Sequence, residues 1–241
     1  MRLNDDVHVL VLPFEREGQP FPMHLTLVLD PAQGATLIDA GLPGQRDAIA
    51  AAMAEAGVGL EDLRRIVLTH HDIDHVGALG ELVPASGARV LTSAGEAQFI
   101  DGRATPRYAR PEVLERRPEF RAVVERLRPT PVDEELEDGA RLELAGGLQV
   151  VTTPGHTPGH MCLFLERSGT LVTGDALTAQ EGRLLGPSPS ATMDLPTARR
   201  SVRKLAPLEV RSIVCYHGGV VEDDAAGQLR RLADELESQP A

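Results

Sequence analysis

The chain has 241 residues, enough for one large domain or two small ones, with 42% hydrophobic residues but only 3% aromatic and no Trp, so a core must be packed from Leu, Val, Ile and Ala. The 36 acidic against 24 basic side chains leave a net charge of −12, which argues against general nucleic-acid binding. No apolar run approaches the roughly 20 residues of a membrane-spanning helix, and Met1-Arg2-Leu3-Asn4-Asp5-Asp6 lacks the pattern of a secretory signal, so neither a membrane nor export is expected.

Val7–Leu12 reads as an opening strand and His24–Leu29 as a second. Between them Pro13-Phe14 and Pro20-Phe21-Pro22-Met23 make an apolar, proline-rich loop. His8 and His24 stand alone in strands and read as structural, with His24 close enough to a strand start to approach a cleft. Ala35–Asp39 is a third strand, with Asp39-Ala40-Gly41 at its exit, and Gln45–Ala56 an amphipathic helix stopped by Gly57.

The short buried strand Ile66-Val67-Leu68 leads into Thr69-His70-His71-Asp72-Ile73-Asp74-His75, which places three His and two Asp in six positions. His70 and Asp72 share one side of an extended segment, and Asp74 and His75 fall in the turn that follows. So many ionisable groups are costly to desolvate alone, which favours a cation site over a charged loop. Val76–Leu82 reads as the next helix, Arg89–Thr92 as a strand and Ala94–Ile100 as a helix.

Residues 101–131 differ in composition, with eight Arg against five acids and prolines at 106, 111, 118, 129 and 131. They read as an inserted cap with a helix from Pro111 to Leu127. Either this cap steers an anionic substrate into a cleft or it is a solvated helix laced with Arg–Glu pairs. Strands follow at Arg141–Leu144, Leu148–Thr152, Met161–Leu165 and Thr170–Thr173, then the helix Leu195–Leu205, the strand Arg211–Cys215 and a closing helix Asp223–Leu236. Their ends carry Thr153-Pro154-Gly155-His156-Thr157-Pro158-Gly159-His160, Thr173-Gly174-Asp175 and Cys215-Tyr216-His217. Strand ends converging on one edge are how layered α/β proteins build a site. Cys162 and Cys215 lie in apolar strand contexts; two buried free thiols and a cytoplasmic home are expected, a disulfide being the alternative.

With these residues in place the chain resembles the metallo-β-lactamase superfamily. The first motif of that family, His-x-His-x-Asp-His, stands here as His70-His71-Asp72-Ile73-Asp74-His75, with Asp72 in place of the second His. The resemblance implies an α/β fold, a four-layer αβ/βα sandwich, in a single domain over residues 1–241. It also implies two divalent metal ions, one held by His70, Asp72 and His156, the other by Asp74, His75 and His217, with Asp175 between them. His71 instead of Asp72 is the alternative ligand. Zn comes first, while the extra carboxylate makes Fe or Mn real rivals. Asp39, His71 and His160 are implied as supports for the ligands, although Asp39 reads equally as a cap on the turn at Gly41. Asp74 is implied as proton carrier and Tyr216 or Tyr108 as a donor to an oxyanion, with Phe21, Met23 and Tyr108 next to substrate.

The activity implied is attack of a metal-bridging hydroxide on a small ester, thioester or lactone. A redox diiron protein of the same fold, a phosphodiesterase and a β-lactam hydrolase are the alternatives. A small molecule is the expected partner, and a homodimer is left open.

Overall fold

A computed structural model describes residues 1–16 and 18–238. Six strands form the first sheet in sequence order: β1 (Val7–Leu12), β2 (Met23–Asp30), β3 (Gly34–Ile38), β4 (Leu63–Val67), β5 (Arg89–Ser93) and β6 (Glu134–Leu136). The first three are antiparallel, β1 and β2 joined by the loop 13–22 and β2 and β3 by a turn, whereas β3 to β6 run parallel through helical crossovers. The second sheet is β7 (Arg141–Leu142), β8 (Leu148–Thr152), β9 (Met161–Leu165), β10 (Thr170–Val172), β11 (Ser212–Cys215) and β12 (Gly219–Val221), again in sequence order.

Alternation along each strand sorts the side chains into three cores. Val28, Val67 and Leu91 of the first sheet meet Val150, Met161, Leu163 and Leu165 of the second, forming the core between sheets. The opposite parity of the first sheet, Leu25, Leu27, Leu37, Ile66 and Leu68, packs on helices α1 (Arg46–Glu55) and α3 (Leu79–Ser86) through Ile49, Met53, Leu79 and Leu82. Cys162, Phe164 and Ile213 of the second sheet pack on α7 (Leu195–Val202) and α8 (Ala225–Ser238) through Val202, Leu229, Ala233 and Leu236. Three cores separate four layers, helix, sheet, sheet, helix, as the family resemblance implies.

Local chemistry explains where the elements depart from expectation. A single helix Val76–Leu82 is replaced by α2 (Ile73–Val76) and α3, separated at Gly77. The N–H groups of Gly77 and Ala78 donate to Gly41 and Ala40 carbonyls at 2.7 and 3.1 Å, drawing the backbone away from the helical ladder. Asp74 and His75 therefore lie on a helical turn. The helix expected from Pro111 to Leu127 is broken into α5 (Pro111–Arg116) and α6 (Pro118–Val124), preceding which α4 covers Ala94–Ile100. Pro118 has no N–H and disfavours helical backbone at Arg117, which sits at φ −134°, ψ 67°. Gly57 has φ +86° and closes α1 as expected. Among the described residues no helix is long and apolar enough to cross a membrane.

Cys162 and Cys215 are both buried and unpaired. Burial pushes each thiol up to about 12, from 9.0. The folded thiols are thus neutral at pH 8 and should not react with a disulfide reagent such as DTNB until the chain is unfolded, when two equivalents should appear. The sign of the shift means that stability gained from the neutral thiols is intact below about pH 9 and is lost as pH climbs towards about 12.

Candidate metal centre

The first motif begins just beyond β4 of the first sheet and the other three segments leave the ends of β8, β10 and β11 of the second, so strand ends from both sheets supply the cluster. Two groups of potential ligands result, His70, His156 and Asp175 in one and Asp74, His75 and His217 in the other. Asp72 joins the first, its Oδ2 standing 3.2 Å from His156 Nε2 and 3.8 Å from His70 Nε2. Asp175 faces both groups: Oδ2 is 3.6 Å from His156 Nε2 and from His217 Nε2, and Oδ1 is 3.3 Å from His75 Nε2. Asp74 Oδ2 lies 3.1 Å from His217 Nε2.

These spacings match a cation site. Ligand atoms set tetrahedrally about 2.1 Å from a zinc ion stand about 3.4 Å from one another. The Nε2 atoms of His70 and His75 are buried without a hydrogen bond, as is Asp175 Oδ1. Buried polar atoms are rarely left so, and a coordinated cation would satisfy all three.

Hydrogen bonds behind the rings aim those atoms. His75 Nδ1 donates to Asp39 Oδ2 at 2.9 Å. The same carboxylate accepts the main-chain N–H of Thr69 at 2.8 Å and the Thr69 hydroxyl at 3.0 Å. That hydroxyl lies 3.0 Å from His70 Nδ1 and, with its own hydrogen directed at Asp39, accepts the hydrogen bond from the ring. One buried carboxylate thereby turns two imidazoles so that their Nε2 lone pairs face the cleft. Asp39 achieves this with φ +65°, outside the region most L-residues adopt.

A second buried carboxylate performs the same service across the two halves of the chain. Glu96 Oε2 accepts the main-chain N–H of His71 at 2.9 Å and binds His71 Nδ1, while Oε1 accepts from Thr157 Oγ1 at 2.8 Å and Gly159 N at 2.6 Å. Glu96 therefore clamps the loop of Asp72 to the loop of His156. His71 is held away from the ligand groups, stacked on Phe99 with centroids 4.2 Å apart. His160 is also a support: its Nδ1 bonds Thr153 Oγ1 at 2.8 Å and its Nε2 accepts the N–H of Asp175 at 3.1 Å. Burial first, then His156, holds His160 well below its usual range, consistent with a neutral acceptor. Gly174 must be glycine here, since a Cβ would stand 2.8 Å from His160 Nε2 on a backbone of φ +47°.

Electrostatics point the same way. Burial opposes charge on His75, His156 and His217, but the facing Asp groups outweigh it and raise all three. Burial likewise opposes ionisation of Asp175, yet His217, His75 and His156 hold it well below the usual carboxylate range. Anionic oxygens draw protons onto the imidazoles where positive charge is wanted, and divalent cations would supply it.

The remaining candidates divide. Phe21 stacks on His217 at 4.8 Å, beside the second group. Met23 does not line the cleft: it begins β2, follows the parity of Leu25 and Leu27, and is fully buried in the helix-facing core. Tyr216 is buried against the His75 ring, and its hydroxyl donates to the Asp74 carbonyl, so its proton is committed to holding that turn and is unavailable to an oxyanion. Tyr108 is half-buried with its ring 6.5 Å from His71; burial, then Asp72 and Asp74, raise its phenol. His24 is structural, its Nδ1 3.2 Å from the Tyr216 carbonyl. Glu96 and Thr69 stand out only in three dimensions. The one sequence signal for Glu96 was its place on the apolar stripe of α4, beside Ala97 and before Ile100.

A four-layer sandwich with imidazoles and carboxylates gathered at one end of its two sheets is an arrangement suited to metal-dependent chemistry. Residues 20–217 match the metallo-beta-lactamase superfamily, and the chain belongs to it and is a hydrolase. The protein named "Probable metallo-hydrolase YflN" of Bacillus subtilis (strain 168) is 31% identical over 84% of this chain and 82% of its own length. A hydroxyacylglutathione hydrolase of Fuscovulum blasticum is 29% identical over 87% of this chain, which spans 65% of that relative. A metallo-beta-lactamase family protein of Thermus thermophilus superposes with a TM-score of 0.73 at 30% identity, over 98% of this chain and 80% of its own.

Two outcomes are expected from metal analysis of purified variants. Asp72→Ala should bind less metal than the wild-type chain while His71→Ala retains the wild-type content; the reverse pattern would make His71 the ligand. Asp39→Ala, which frees the rings of His75 and His70, should weaken metal binding about 10- to 100-fold in a competition titration with a chelating dye.

Proposed function

We propose that the chain hydrolyses a small acyl compound, an ester, thioester or lactone, at a centre of two divalent metal ions. The observation that carries this is Asp175 standing between two groups of ligand atoms whose spacing fits a cation on either side. His70, Asp72 and His156 would hold one ion, and Asp74, His75 and His217 the other. Such a pair supplies polarisation of the carbonyl and a water acidic enough to ionise near neutrality.

The chain's own groups do the rest. Asp74 stands beside His217, with its main chain held by Tyr216, and in this reading would carry a proton to the leaving group. Phe21 stacks on His217 and would shield that flank of the ring. Four imidazoles suit Zn, which is the first choice, while three carboxylates make the set harder than imidazole alone and bring Fe or Mn in as rivals. A net charge of −12 suits a small substrate better than a nucleic acid. Relatives named hydroxyacylglutathione hydrolase support an acyl substrate, and a glutathione acyl conjugate is a thioester.

Protein loaded separately with Zn, Fe and Mn should be assayed against an acyl thioester, a lactone, a β-lactam and a phosphodiester. Turnover of the thioester or lactone at kcat/KM of about 10⁴ M⁻¹ s⁻¹ or more is expected, abolished by a chelator and restored by metal. Preferential cleavage of the β-lactam or phosphodiester, or dioxygen consumption by the iron form with no hydrolysis, would overturn the proposal.

A further inference from the structure

A cleft of about 240 Å³ lies between the 101–131 segment and the helices beneath it. Val76, Leu79 and Phe99 line it from below and Val124 and Leu127 from the cap, with Tyr108 contributing a phenol. Of its lining side chains among the described residues, only Arg128 is charged. Three of its lining residues sit next to the first motif: Val76 directly follows His75 in the chain, Phe99 stacks on His71 with centroids 4.2 Å apart, and the Tyr108 ring centroid is 6.5 Å from that of His71. The cap is also fastened across the site: Arg107 Nη2 donates to Ala191 O at 3.0 Å, and two residues on Met193 N–H donates to His156 O at 3.1 Å.

We infer that this cleft is the acyl pocket of the hydrolase, and that it takes an unbranched apolar chain of medium length. The inference rests on the hydrolase reading above and names the substrate's acyl group. In this arrangement Asp74 and His217, beside Phe21, would serve the leaving group, and the acyl chain would extend the other way, past His71 and Phe99 into the cleft. An apolar lining with one cation has no set of partners for a peptide-like or polyanionic group, whereas it desolvates methylenes well. A cavity of about 150 Å³ admits the six carbons of benzene, so this volume corresponds to roughly six to ten carbons.

The test is a series of acyl thioesters of one small thiol, from acetyl to dodecanoyl, hydrolysed by the metal-loaded full chain. Each buried methylene favours binding by roughly fourfold, so kcat/KM should rise at least about tenfold from acetyl to hexanoyl or octanoyl and then fall. Ala104→Phe, which fills the cleft, should lower the octanoyl-to-acetyl ratio of kcat/KM about tenfold or more. Leu127→Ala, which enlarges it, should move the optimum about two carbons longer, and either shift alone supports the pocket if the other variant fails to fold. Octanoate should raise the melting temperature of the wild-type chain and do so less in Ala104→Phe, a readout independent of turnover. Hydrolysis with no chain-length preference, or preference untouched by both variants, would overturn the pocket and leave the hydrolase standing. Absence of turnover with every acyl compound would instead overturn the hydrolase reading, and the pocket's role with it.

Discussion

Carboxylates and imidazoles crowded into a buried cleft repel within each class and lose their hydration, so the cluster needs positive charge at its centre. Asp175 is the pivot of that requirement. Among the described residues it is the one carboxylate within about 4 Å of His75, His156 and His217 together, and so sees both sides of the site. The sandwich can be understood as the scaffold that brings four strand ends close enough for this to happen.

Two further buried carboxylates convert proximity into aim. Asp39 reaches from the exit of β3 to Thr69 and His75, and through Thr69 to His70. Glu96 reaches from α4 to the loops on either side of the first ligand group. Both are removed from solvent and both have their oxygens filled by donors, the condition under which a buried carboxylate rigidifies rather than destabilises. The precision of the centre is therefore shared between a ligand shell drawn from both halves of the chain and a clamp that joins them. Above it the 101–131 segment adds a wall that the sheet edges alone would not provide, which is where a common hydrolytic centre could acquire its own choice of substrate.

Much of this was legible in the sequence because its signals are local. Alternating apolar strands, each followed at once by His or Asp, are visible without knowing which strands pair, and the first motif compresses five such groups into six positions. Glu96 was invisible for the opposite reason, its partners Thr157 and Gly159 lying more than sixty residues away. Met23 and Tyr216 each stand close in sequence to a residue at the site, Phe21 and His217, but β2 begins at Met23 and carries it into the core with Leu25 and Leu27, and a hydrogen bond turns the Tyr216 phenol onto the Asp74 main chain. The break of the cap helix at Pro118 was written in the chain, yet the apolar spacing on either side suggested continuity. At Gly77 the sequence offered little, because the carbonyls that capture its N–H group and that of Ala78 belong to the turn after β3.

The central claim is that seven side chains converge on two cations held a short distance apart. Crystals of the metal-loaded chain, with anomalous maps recorded across the Zn, Fe and Mn absorption edges, measure that directly. Two peaks about 3.5–4 Å apart are expected, with Asp175 contacting both. A single peak, or none with His70, His75, His156 and His217 hydrogen-bonded to protein groups instead, would contradict it.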